Sequence, residues 1–130
     1  MRLKILNTPW PALLWTIVIF ILLVIPLRGV SEGHFIQIPY FDKYVHAFMF
    51  GLFVWLWSRR YLSKLPADEV RKKAFWILII SCVYGAGMEF YQEYFTEREF
   101  DLGDILADAA GSIVAYLVFR LYFLKKSKPL

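Results

Sequence analysis

Residues 5–27 read ILNTPWPALLWTIVIFILLVIPL, a run of 23 residues without one charged side chain. A helix needs about 20 apolar residues to cross roughly 30 Å of hydrocarbon, so this stretch predicts a membrane span over about residues 9–27. Pro11 falls in the first turn, where its missing N–H leaves no intrahelical bond unmade. The rival reading is a cleaved signal peptide, with Arg2 and Lys4 as the basic start and Gly29 and Ser31 as the small-residue pair. The run is longer than the roughly 7–15 residues of a signal core, which favours a retained helix.

Three more apolar runs follow. Residues 44–58 are uncharged and broken only by His46, which predicts a second span over about 43–58. Fifteen residues reach only about 22 Å. Tyr40 and Phe41 at the interface can extend the span; tilt, bilayer thinning or packing in an oligomer can also accommodate it. Residues 28–43 and 59–73 read as loops, with Pro66-Ala67-Asp68-Glu69 as a short helical start feeding a third span over about 74–94. A fourth span covers about 104–124. The chain is therefore expected to be one all-α membrane domain over residues 1–130, with no internal repeat or linker. The composition agrees: 59% of residues are hydrophobic and the mean hydropathy is +0.51, more apolar surface than a soluble domain of this length can bury. Cys82 has no partner for an internal disulfide.

The net charge of +4 sits in clusters between the spans rather than on a face that would meet nucleic acid, which excludes that partner and leaves membrane lipid as the expected surroundings. Arg2 and Lys4, then Arg59, Arg60, Lys64, Arg71, Lys72 and Lys73, then Lys125, Lys126 and Lys128 form three basic segments. The positive-inside rule puts all three, and both termini, in the cytoplasm of a cell whose inner membrane holds the protein. The 28–43 loop and the acidic 93–104 loop then face outward. Trp10, Trp55, Trp57, Tyr61 and Trp76 fall near the inner interface and Tyr40, Tyr44, Tyr91 and Tyr94 near the outer one.

With that topology, ionisable residues of three helices share one depth. Asp42 and His46 are four apart; Glu89, Gln92 and Glu93 follow an i, i+3, i+4 pattern; Asp101, Asp104 and Asp108 follow i, i+3, i+7. Each set is one helical stripe. Charges facing lipid are costly, so the stripes are expected to face the bundle interior or a wet cleft, with Lys43 and Arg98 as the nearby bases. The bland alternative is that these groups only fix helix packing, or that Asp101 or Asp104 caps the fourth helix. Gly85, Gly87 and Gly111 are expected to allow close helix approach.

These residues resemble the VanZ-like family of small bacterial membrane proteins. The resemblance rests on Asp42-Lys43-x-x-His46-x-x-x-Phe50, then Glu89-x-x-Gln92, then Arg98-x-x-Asp101-x-x-Asp104 and Gly111, within residues 39–115. It departs at Asp108, where the family usually carries asparagine. The resemblance implies a role at the cell envelope, the family being named for a protein linked to teicoplanin resistance. Two readings of the polar cluster follow. In the first, Asp42, Lys43, His46, Glu89, Gln92, Arg98, Asp101, Asp104 and Asp108 form an outward-facing cleft for an amphiphile, such as a lipoglycopeptide or a lipid-linked cell-wall intermediate. In the second, His46, Glu89, Asp104 and Asp108 hold a divalent cation, for which imidazole and carboxylate are suitable ligands, and act on a lipid phosphate.

Overall fold

The computed structural model describes residues 8–25 and 39–126, with side chains through residue 123. They form α1 (Trp10–Val24), α2 (Phe41–Leu62), α3 (Ala67–Phe95) and α4 (Leu102–Lys126). No strand occurs among the described residues.

The helix ends differ from the sequence expectation in ways the residues explain. Helix α2 has 22 residues, about 33 Å of rise, because it continues through Arg59 and Arg60 to Leu62. Helix α3 has 29 residues and starts at Ala67, directly after an extended Pro66, with Asp68 and Glu69 in its first turn, where acidic side chains meet the positive end of the helix dipole. The expected 59–73 loop is thus a short connector between two helices. Its long Arg, Lys and Glu side chains lose little freedom in a helix, and Leu62, Val70 and Ala74 pack into one apolar cluster with Phe119. Helix α1 has 15 residues. Residues 26–27 of the span expected there, the 28–38 stretch, Arg2, Lys4 and Lys128 lie outside the described residues.

Cross-helix contacts fix the directions. Lys43 meets Asp104 and His46 meets Asp108 at one end of α2 and α4, while Trp55 meets Phe119 at the other, so α2 and α4 run parallel. Helix α3 opposes them: Ser81 bonds Ser112 at 2.8 Å in mid-bundle, and Glu89 meets Asp101 before α4 begins. Helix α1 runs parallel to α3, with Thr16 accepting from Tyr84 and Leu23 from Gln92 through their carbonyls. The bundle is up-down-up-down, and among the described residues α1 lies against α2 and α3 but makes no close approach to α4.

The α2–α4 pair is the closest. A Cβ on Gly51 would sit 3.1 Å from the Gly111 carbonyl oxygen, and one on Gly111 would collide with the Ala47 backbone. Gly85 gives room to Asp108, while Gly87 has open space and no packing role. Of the three expected approach sites, two are occupied.

Polarity is distributed inside out. His46, Ser58, Ser81, Glu89, Gln92, Asp104, Asp108 and Ser112 are buried, whereas Leu14, Ile17, Ile80, Val83, Leu106, Val114 and Leu121 are exposed. Water would not favour that arrangement, and lipid does. Helices α3 and α4 are long and apolar enough to cross a membrane, and α1 is apolar but shorter.

Candidate polar site at one end of the bundle

The chain direction brings the start of α2, the end of α3 and the start of α4 to one end. Asp101 caps α4: its Oδ1 accepts the Gly103 N–H at 2.6 Å, as an N-cap carboxylate does. Asp104 follows in the first turn and Asp108 one turn deeper. Tyr40, in the left-handed region at φ 59°, turns the chain into α2, placing Asp42 and Lys43 at the rim and His46 inside. After α3, Thr96 Oγ1 donates to the Gln92 carbonyl at 2.6 Å, and Arg98 N–H donates to Thr96 Oγ1 at 3.2 Å. This tight return carries the Asp101 N–H over Glu89, whose Oε2 accepts it at 3.2 Å.

The rim is organised around one ammonium. Lys43 Nζ lies 2.5 Å from Asp101 Oδ2, 2.8 Å from Asp104 Oδ1 and 3.3 Å from Asp42 Oδ2. An ammonium has three protons to give, so Lys43 is fully engaged and itself fills the Asp42–Asp101–Asp104 cage. Its stem crosses Gly103, where a Cβ would come within 2.7 Å of Lys43 Cε. The Lys43 ammonium, helped by the Gly103 N–H, holds the Asp101 carboxyl below the usual carboxylate range.

Below the rim, His46 Nδ1 lies 2.9 Å from Asp108 Oδ1. With Asp108 ionised the carboxylate only accepts, so Nδ1–H donates, and in the neutral imidazole Nε2 then carries the lone pair. That Nε2 lies 3.6 Å from Asp104 Oδ2. Glu89 Oε1 and Asp108 Oδ2 are buried without a hydrogen-bond partner among the described residues. Arg98 is half-exposed and reaches Asp104 Oδ2 only at 4.0 Å.

Eight of the nine residues singled out in the sequence therefore gather here, with Asp42 and Arg98 at the edge. Gln92 is elsewhere: it is buried, and its Nε2 donates to the Leu23 carbonyl at 2.7 Å, tying α3 to the end of α1. The sequence reading overlooked Gly103, whose signal is its place in Asp101-x-Gly103-Asp104, a cap followed by a residue over which a long side chain must pass.

An apolar-jacketed helical bundle with an ionisable network enclosed at one end is a helical membrane protein. The chain belongs to the VanZ/LLP1 family, whose profile matches residues 5–124. It is also similar to an uncharacterised protein of the fission yeast Schizosaccharomyces pombe, 34% identical over 108 residues, covering 80% of this chain and 62% of that one. The chain thus spans less than two thirds of that relative's length. No solved structure matches.

Proposed function

We propose that the protein is a four-span membrane protein whose end-on polar site receives the headgroup of an amphiphile. The observation that carries this reading is the enclosure of His46, Glu89, Asp104 and Asp108 inside a bundle whose outer face is apolar. Such groups are expensive to keep within hydrocarbon, and a headgroup at the membrane boundary is the ligand that a site at this depth meets. Arg59, Arg60, Lys64, Arg71, Lys72 and Lys73 lie at the opposite end of α2 and α3, which supports a cytoplasmic position for that end and an outward-facing polar site. On this reading all four helices span, both termini are cytoplasmic, and the protein is a multi-pass resident of the cytoplasmic membrane.

The geometry divides the two bases. Lys43 is saturated by carboxylates, so Arg98 is the group that meets an anionic part of the ligand, such as a phosphate, with the exposed Phe100 and Phe90, 5.5 Å apart, beside its acyl portion. Similarity to a fungal protein favours a headgroup chemistry not confined to the bacterial wall. Resistance to teicoplanin, itself an amphiphile, is then one outcome of occupying this site.

The test is direct binding of a lipid pyrophosphate, and separately of teicoplanin, to purified protein in nanodiscs, compared with Arg98→Ala. Saturable binding weakened at least tenfold by the variant supports the reading. Binding that Arg98→Ala leaves unchanged, or none for either probe, removes it. In a sensitive Gram-positive host at matched membrane abundance, wild type is expected to raise teicoplanin tolerance and Glu89→Gln to lose that effect.

A further inference from the structure

Three buried side chains, from three helices, each hold one polar atom in a fixed bond and have a second one outside it. His46 gives Nδ1–H to Asp108 and keeps Nε2. Asp104 Oδ1 accepts from the Lys43 ammonium, which leaves Oδ2. Glu89 Oε2 accepts the Asp101 N–H, and its Oε1 is buried and without a partner among the described residues. One ligand-type atom from each of these three lies within 4.8 Å of the others. We propose that His46 Nε2, Glu89 Oε1 and Asp104 Oδ2 form a binding site for a first-row divalent cation such as Zn²⁺ or Mn²⁺, with Asp108 orienting the imidazole rather than ligating.

Four features fit. The donor set is one imidazole nitrogen and two carboxylate oxygens, which suits these cations. Ligands bound tetrahedrally at about 2.0–2.1 Å stand about 3.4 Å apart, and His46 Nε2 is 3.6 Å from Asp104 Oδ2. The His46–Asp108 bond is the carboxylate–histidine arrangement that fixes a metal-binding ring and raises its basicity. The balance of groups also fits a cation: five carboxyl groups, Asp42, Glu89, Asp101, Asp104 and Asp108, gather with only two bases, Lys43 and Arg98. This narrows the four-residue set read from the sequence to three ligands, because the one Asp108 oxygen that faces His46 is spent on Nδ1–H. The other is wedged against Gly85, where a Cβ would lie 2.6 Å from it.

The site needs the buried cluster but no amphiphile, so protein free of added ligand tests it separately from the headgroup reading. The full chain is purified in micelles without chelator, and its metal is counted by mass spectrometry. It is then stripped and titrated with Zn²⁺ or Mn²⁺, following thermal unfolding and the Mn²⁺ paramagnetic signal. About one ion per chain is expected, with a rise in melting temperature on titration. Glu89→Gln is expected to weaken Mn²⁺ at least tenfold. Asp108→Asn keeps the stoichiometry and weakens affinity about 10- to 100-fold. Glu69→Gln, at the opposite end of α3 and paired with Lys73, keeps wild-type affinity, and Glu89→Gln is required to match the wild-type elution profile, so a loss confined to Glu89→Gln is not misfolding. Metal below one tenth per chain with no stabilisation by either ion overturns the proposal, as does equal affinity in wild type and Glu89→Gln.

Discussion

His46 Nδ1 stands 2.9 Å from Asp108 Oδ1 across the closest pair of helices, and both side chains are almost wholly withdrawn from the surface. The bond joins α2 to α4 one turn above the contact between Gly51 and Gly111. Removing the acceptor leaves an imidazole N–H buried without a partner, which costs about 1–3 kcal/mol. Asp108→Ala is therefore expected to destabilise by that amount in a micellar unfolding titration. Asp108→Asn, which keeps a side-chain oxygen in place, is expected to lose less than half as much and to leave the Nδ1–H tautomer in the ¹⁵N spectrum of His46. Equal losses for both variants would show that the oxygen is not what holds the ring.

The second expectation concerns two glycines on different helices. A Cβ at Gly111 meets the Ala47 backbone, which cannot swing aside as a side chain can. Gly111→Ala must push α2 and α4 apart, and overpacking of this kind costs about 1–3 kcal/mol. Gly87 has nothing within 4 Å of a Cβ, so Gly87→Ala gains up to about 1 kcal/mol of helix propensity. Opposite shifts in unfolding midpoint are expected from two chemically identical changes. Shifts of the same sign would contradict the α2–α4 contact.

Acid stability tests the rim. The Lys43 ammonium holds the folded Asp101 carboxyl below its ordinary 3.8. A depressed folded value means that the charged form is the one favoured by folding. Its contribution is complete above the unfolded value near 3.8 and is lost as the pH falls through the lower folded value. Wild type is thus expected to lose more thermal stability than Asp101→Asn when the pH is taken from about 6 to below 3. Because Asp101 is half-exposed the difference is small, and parallel melting curves would remove the Lys43–Asp101 pair from the account.

Much of this was readable in the sequence because the membrane imposes a simple rule. The spacing of Asp101, Asp104 and Asp108, and the depth of His46 and Glu89, follow from helical periodicity and from alternating direction, so their convergence needed no coordinates. The extent of the helices was less legible. Charged residues mark where a chain leaves hydrocarbon but not where a helix ends, and Arg59, Arg60 and Arg71 to Lys73 continue helices beyond an apolar run. Bond partners were least legible of all. Nothing in the spacing distinguishes Gln92, tied to the Leu23 carbonyl, from Glu89, one turn away and turned into the cluster. Nor does it say that Lys43 spends all its protons on carboxylates. Those distinctions rest on rotation about the helix axis and on a main-chain acceptor that no side-chain pattern announces.

The last expectation follows from Gln92. Its amide N–H to the Leu23 carbonyl, at 2.7 Å, satisfies one of the carbonyls left unpaired at the end of a helix, here buried against α3. Among the described residues helix α1 makes no close approach to α4; it is held by the burial of Ile19 and Leu23 in the apolar cluster with Met49, Phe50 and Met88, and its polar ties are this bond, Trp15 donating to the Met49 carbonyl at 2.9 Å and the Thr16 contacts with Tyr84 and Trp57. Gln92→Ala is expected to cost about 1 kcal/mol, and hydrogen exchange is expected to rise in the last turn of α1 while α4 stays protected. Gln92→Glu is expected to cost more, since an ionised carboxylate cannot donate to the carbonyl and faces it with like charge. Uniform exchange changes across all four helices would mean that Gln92 supports the whole bundle instead of holding α1 in place.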